Sequence, residues 1–146
     1  MAEIFPNEGI DLIMAIFPKN GTNLATMNLG LFTSQTASTV PAATAVLATS
    51  TGVTEATGTA YARPSIAAAS WGAQGAGTPD GRASAAGQVT MATVGAGGWG
   101  TANGFFLANA SSAGIAIFYA NFSDTTAIVT ASGDVIKVTP TIQFGA

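Results

Sequence analysis

Three patterns in this 146-residue chain are of types that could carry chemistry, and each needs partners to do so. Gly95, Gly97 and Gly100 fall at the G-x-G-x-x-G spacing, in which glycines let the backbone close around a pyrophosphate and a following helix receives its charge. Here the motif runs into Thr101-Ala102-Asn103-Gly104 and then the apolar stretch Phe105-Phe106-Leu107, which reads as a strand. Asp124 stands at a tolerable distance for the acid that would hold a ribose, but no βαβ unit surrounds it. The spacing therefore predicts a flexible loop and not a dinucleotide site. No Gly-Lys-Ser or Gly-Lys-Thr supplies a phosphate loop.

The second pattern is the set of carboxylates. Glycoside hydrolysis needs two of them facing each other across a bond, and the chain offers Glu3, Glu8, Asp11, Glu55, Asp80, Asp124 and Asp134. Glu8 and Asp11 fit the first turn of a helix, where its dipole favours acids. Asp80 and Asp134 sit in turn motifs, where Asp bonds to local backbone. Glu55 and Asp124 are left as a pair with nothing to bring them together. The acids lack the D-x-D-x-D-G spacing of a calcium loop. The chain contains no His and no Cys, which removes thiolate and imidazole catalysis and structural zinc. It is expected to be no enzyme and to hold no cofactor and no metal.

The third pattern is aromatic. Trp71 and Trp99 each stand beside a glycine-rich stretch. Each reads first as a lid over the core, because a core of this size has few large residues. The alternative is a sugar platform or a subunit-contact anchor. Arg63 and Arg82 are comparable: each could pair with an acid on a neighbouring subunit or simply stay solvated.

Charge sets the context for all of these. Charged residues make up 8% of the chain, where an average soluble domain carries roughly 25%. Ala, Gly, Ser and Thr fill the gap. So weakly charged a surface repels its own kind poorly, which implies that copies of the chain or other partners cover much of it. The basic residues Lys19, Arg63, Arg82 and Lys137 are scattered, whereas nucleic acid calls for clustered Lys and Arg; nucleic acid is not expected. Neither is a membrane, since there is no basic amphipathic helix and no long apolar run. Glu3 and Glu8 stand where a secretion signal would carry positive charge. Asn109-Ala110-Ser111 and Asn121-Phe122-Ser123 match the glycosylation pattern, and without a secretion signal both are taken as chance.

The elements that must position these residues are mostly strands. One helix is predicted near the start: Asn7 caps it, Ile10, Ile13, Met14 and Phe17 form its apolar stripe, and Pro18 ends it. The period then changes to two. Ala25, Met27, Leu29 and Leu31 alternate with Thr26, Asn28, Gly30 and Phe32. Residues from about 33 to 55 lack bulk and read as a long surface arm or loop. Ala60 to Ser70 reads as a strand broken by Pro64, which implies an edge or a bulge. A Gly-rich loop is expected from Gly72 to Gly87, a strand over Gln88 to Val94, and a hairpin from Phe105–Ala108 to Gly114–Ala120. The closing stretch alternates strictly, with Ile136, Val138, Pro140, Ile142 and Phe144 on one side, and predicts a single last strand with one buried face. Together these predict one all-β domain, an antiparallel β-sandwich of jelly-roll type, with an N-terminal helix or arm over about residues 1–20.

Three stretches carry a resemblance. They are Pro6-Asn7-Glu8-Gly9 before the apolar helix; Thr57-Gly58-Thr59-Ala60-Tyr61-Ala62-Arg63 leading to Ser70-Trp71-Gly72; and Gly104-Phe105-Phe106-Leu107 with Gly133-Asp134 and Thr139-Pro140-Thr141-Ile142-Gln143-Phe144. In these the chain resembles a group of small virion structural proteins of tailed bacteriophages, labelled capsid decoration (cement) or tail-fibre proteins. The resemblance implies a virion location after assembly in the bacterial host cytoplasm. It implies the major capsid protein as partner and no catalytic residues; further copies of the chain, as a dimer or trimer, fit the low surface charge. The alternative within the group is a tail-fibre or receptor-binding subunit that recognises host surface glycans. Candidate subunit contacts are Ile10, Ile13, Phe17, Arg63, Trp71, Arg82 and Trp99.

Overall fold

The computed structural model describes residues 3–4, 7, 26–36, 38–73, 75–76, 82–122 and 127–144. The chain is mostly strand, with almost no helix, and its sheets are antiparallel. The largest sheet runs, edge to edge, β1 (Glu3–Ile4), β9 (Ala116–Asn121), β8 (Gly104–Ala108), β2 (Thr26–Phe32) and β3 (Ser65–Ala67). A three-stranded sheet has the order β12 (Thr141–Phe144), β5 (Arg82–Ala85), β4 (Gly75–Ala76). Two ribbons complete the strands of the described residues: β11 (Val135–Val138) with β6 (Val89–Thr93), and β10 (Ile128–Val129) with β7 (Thr101–Ala102).

The central strands are buried on both faces. β8 and β9 are buried at every position, and β2 from Asn28 to Phe32. The stretch whose period of two reads as a strand forms β2, and the structure covers both of its faces. On one side Leu29, Leu31, Phe105, Leu107 and Phe118 meet Met91, Val94, Ile136 and Val138 from around β6 and β11, together with Trp99. On the opposite side Phe32, Phe106 and Tyr119 meet Ala45, Leu47 and Val53. Those last three belong to the stretch expected to be a surface arm. Its backbone is irregular, with one 3-10 turn at Leu47–Thr49 and a bridge between Val46 and Thr51, but it lies against the sheet. Three apolar side chains in about twenty residues suffice to dock a segment onto a face already rich in aromatics.

Two glycines make that aromatic face possible. Gly30 on β2 stands opposite Phe106 on β8, and Phe32 on β2 stands opposite Gly104 on β8. Each ring occupies the space its glycine leaves: a methyl group on Gly30 would overlap the Phe106 ring, and one on Gly104 the Phe32 ring. Such glycine–aromatic cross-strand pairs restore the packing that a strand glycine forfeits. Tyr119 then meets both rings edge-on, with centroids 6.2 Å from each.

Three further expectations are corrected. The closing stretch forms two strands, because the chain changes partners at Thr139–Pro140: β11 pairs with β6 and β12 with β5. Pro140 has no N–H for a ladder, and its carbonyl accepts the Ala86 N–H at 2.9 Å. The expected glycine loop from Gly72 to Gly87 contains β4 and β5, whose small residues form strands because β12 lies alongside; tertiary pairing outweighs their weak propensity. Pro64 does not interrupt a strand but precedes the edge strand β3, a place that suits a residue without an N–H. The body of the predicted N-terminal helix, with Ile10, Ile13, Met14 and Phe17, lies outside the described residues, and β1 precedes it at the edge of the sheet.

Gly30→Ala is expected to lower stability by about 2–3 kcal/mol through overpacking against Phe106. Gly87→Ala, where an added methyl meets nothing, is expected to change it little. Urea denaturation of both variants checks the contrast.

Candidate functional site

The polar centre of the described chain lies beyond the end of β2. After Phe32 the chain loops away and returns, so that residues 54–56 pair with the end of that strand: Thr33 N–H donates to Thr54 O at 2.8 Å and Ala56 N–H to Leu31 O at 2.8 Å. Next comes a turn in which Tyr61 N–H donates to Gly58 O at 3.1 Å and Ala60 takes a left-handed φ of 66°. That turn swings Tyr61 and Arg63 back over the sheet.

A continuous set of hydrogen bonds results. Leu31 N–H donates to Tyr61 Oη at 3.0 Å, and the Tyr61 hydroxyl donates to Glu55 Oε1 at 2.9 Å. Arg63 grips the same carboxylate with two donors, Nε to Oε1 at 2.6 Å and Nη2 to Oε2 at 2.5 Å. Its Nη1 donates to Ala110 O at 2.9 Å and Ala113 O at 2.8 Å in the loop that joins β8 to β9. The guanidinium lies 4.9 Å from the centroid of the Phe106 ring, a cation–π contact. The Arg63 side chain is 2% exposed and that of Glu55 23%. Burial pushes the Tyr61 phenol well above its ordinary value, and the Glu55 carboxylate adds to the shift, against the Leu31 N–H and the Arg63 charge.

Outside this set lies a shallow depression of about 240 Å³ lined by Glu55, Thr57, Tyr61, Arg63, Ser111 and Ser112. Its charged groups are engaged inward. A general base needs a carboxylate free to take a proton, and both oxygens of Glu55 are held by donors. No group of three or more His, Cys, Asp or Glu gathers among the described residues. Asp124, the other carboxylate of the pair weighed for hydrolysis, lies outside them. The geometry describes a clamp: one ion pair and one phenol tie β2, the crossing segment and the β8–β9 loop together.

The candidate residues fall in different surroundings. Arg63 was expected at a subunit contact or in solvent; the structure buries it against an acid of its own chain, because Glu55 and two loop carbonyls converge on it. Trp99 is 2% exposed. Its indole N–H donates to Thr59 O at 2.9 Å, and its ring stands edge-on to Tyr61 at 5.2 Å. It is a core residue, and neither a sugar nor a neighbouring subunit can reach its face. Trp71 is partly buried against the same core and bridges Ala86. Arg82 opens β5, where its backbone pairs with Phe144. Ile10, Ile13 and Phe17 lie outside the described residues.

The glycine motif is a packed loop. Gly97, Gly98 and Gly100 have φ of 87°, 70° and 84°, and Gly100 leads into β7 with no helix after it. The expected flexibility is replaced by close contact: Gly95 N–H donates to Thr59 O, Thr130 N–H to Gly100 O, and the Thr130 hydroxyl accepts from Trp99 N–H. Asn109, in the first glycosylation-like triplet, turns its side-chain oxygen to the Ile115 N–H at 2.8 Å. Asn121, in the second, is fully buried.

Sequence reasoning missed Tyr61 and left Glu55 without its partner. The available signal was the two-residue spacing of Tyr61 and Arg63, which puts both on one side of an extended segment. No protein-family description, curated protein or solved structure matches the chain.

Stability is expected to hold up to about pH 10 and to fall above it, because the phenol ionises in the unfolded chain near pH 10 and only at higher pH in the fold. Tyr61→Phe, which strands the Leu31 N–H, is expected to cost about 1–3 kcal/mol at neutral pH and to make the alkaline decline shallower. Thermal melts of both proteins from neutral to strongly alkaline pH check this; equal slopes would contradict it.

Proposed function

We propose that this chain is a structural subunit of a tailed-phage particle, a capsid decoration (cement) protein, and no enzyme. The observation that carries the reading is where the polar chemistry lies. Glu55, Arg63 and Tyr61 satisfy one another and the backbone within the chain, while the exposed loop positions beside them, Ser111 to Ala113, are small and uncharged. A surface of this kind makes a poor free monomer and a good buried contact. The resemblance of the Thr57–Arg63, Gly104–Leu107 and Thr139–Phe144 stretches to small virion proteins points the same way. The finer architecture belongs to the same proposal: the five-stranded sheet and the β6–β11 ribbon, which share one core, are the two layers of a jelly-roll-like β-sandwich.

On this reading the chain assembles in the host cytoplasm and binds the lattice of the major capsid protein. Each copy adds buried area between shell subunits, and by mass action the closed shell resists opening more strongly. The glycan-binding alternative lacks a free aromatic platform at Trp99.

Quantitative mass spectrometry of purified particles tests this. The chain is expected at a copy number comparable with that of the major shell subunit, and shells stripped of it should open at lower temperature. Absence from particles would overturn the proposal, and a few copies per particle would indicate a fibre component instead.

A further inference from the structure

Asn103 and Gly104 form a dipeptide with chemistry of its own. In an unconstrained chain the Gly104 nitrogen, losing its proton to a base in solvent, attacks Asn103 Cγ. The Cγ–Nδ2 bond breaks, ammonia leaves, and a five-membered imide joins side chain to main chain. Water then adds to one or the other imide carbonyl and opens the ring, leaving an aspartate or its isomer linked through the side-chain carbon. Glycine favours the step because no Cβ blocks the approach of its nitrogen and its backbone turns freely. The same freedom makes Asn-Gly a turn signal in most chains. Here it is no turn. Asn103 is the one residue between β7 and β8, and Gly104 opens a central strand of the large sheet.

The fold holds the groups that would have to move. Asn103 is 7% exposed. Its N–H donates to Phe32 O at 2.9 Å, and its carbonyl accepts the Phe122 N–H at 3.3 Å. Its side-chain amide donates to Thr33 O at 3.1 Å. Gly104 is paired with Phe32 on β2 and with Asn121 on β9. Ring closure must turn the backbone between the two residues until the nitrogen faces Cγ, and strands on both sides prevent that turn while the sheet is closed. We infer that Asn103-Gly104 is a deamidation site gated by opening of the β2–β8–β9 sheet, and that its conversion makes the opening one-way. The second part follows from what surrounds the side chain. An acid at position 103 has no N–H for Thr33 O and sets a negative charge against that carbonyl in a nearly dry place. The isomer adds one carbon to the main chain immediately before Gly104, where even a Cβ would meet Ala120 O and the Phe32 ring. Either product keeps the sheet from closing again, so unfolding ends in a chemically altered chain. None of this depends on the proposed role in a particle.

Peptide mass spectrometry of the full chain tests both parts. Samples kept folded in buffer and unfolded in guanidinium chloride, at one temperature and one mildly alkaline pH, are read for acid at position 103. Asn20-Gly21, the other Asn-Gly pair of the chain, is the internal standard in the unfolded sample, where both pairs should convert at similar rates. In the folded sample conversion at position 103 should be at least about a hundredfold slower than in the unfolded one, a ratio set by how rarely the sheet opens. The aged unfolded chain is then returned to buffer and separated by size exclusion into compact and misfolded fractions. Compact chains should carry asparagine at position 103, and the converted form should collect in the other fraction, whatever the state of Asn20. Similar rates at position 103 in folded and unfolded protein would overturn the gate. Converted chains in the compact fraction, in the proportion present before refolding, would overturn the one-way step.

Discussion

A buried guanidinium has to be matched, and the fold around Arg63 is arranged by that requirement. Left alone in a dry environment the charge would cost several kcal/mol. The chain answers with a carboxylate held by two donors, two loop carbonyls and an aromatic face. These partners come from three separate stretches, so satisfying Arg63 fixes their relative positions. Residues 54–63 are held across the end of β2, and the loop between β8 and β9 is drawn down onto them. Tyr61 extends the network by accepting the Leu31 N–H, a ladder donor that β3, which begins at Ser65, does not reach.

The same residue connects the polar network to the apolar core. Arg63 lies over Phe106, Phe106 fills the space above Gly30, and Tyr119 stands against both Phe106 and Phe32. One face of the sheet is thus built in layers, glycine, ring and cation, and then closed by Leu47 and Val53. A sheet with both faces covered has no wet side along its central strands. Its contacts with other molecules must fall on edges, turns and outer ribbons. Among the described residues the edge strands of that sheet are β1 and β3.

Much of the strand content was legible in the sequence, since β2 has a period of two, β6 lies between Gly87 and Gly95, and the β8–β9 pair are bulky apolar runs bounded by glycine and asparagine. Pro64 marked an edge because a missing N–H is a local fact. Pro140 had the same meaning, but the alternation on either side of it hid the change of partner. β5 was illegible because Arg82-Ala83-Ser84-Ala85 has little preference of its own and becomes a strand only beside β12. The site was harder to read. The lid role of Trp99 was legible from the scarcity of large residues. The burial of Arg63 was not, because eight residues and a left-handed turn separate it from Glu55, and the carbonyls it meets lie almost fifty residues further on. Long-range polar closure leaves no periodic trace.

The central claim is that Glu55 and Arg63 act as one unit that holds the fold. A double-mutant cycle with Glu55→Gln, Arg63→Met and the combined variant, read by urea denaturation, tests it most directly. Arg63→Met alone is predicted to cost about 3 kcal/mol or more, because it strands a carboxylate and two carbonyls. The combined variant should lose less than the sum of the two, by about 1–3 kcal/mol of coupling. Losses that add to within about 0.5 kcal/mol would show that the pair is incidental and contradict the clamp.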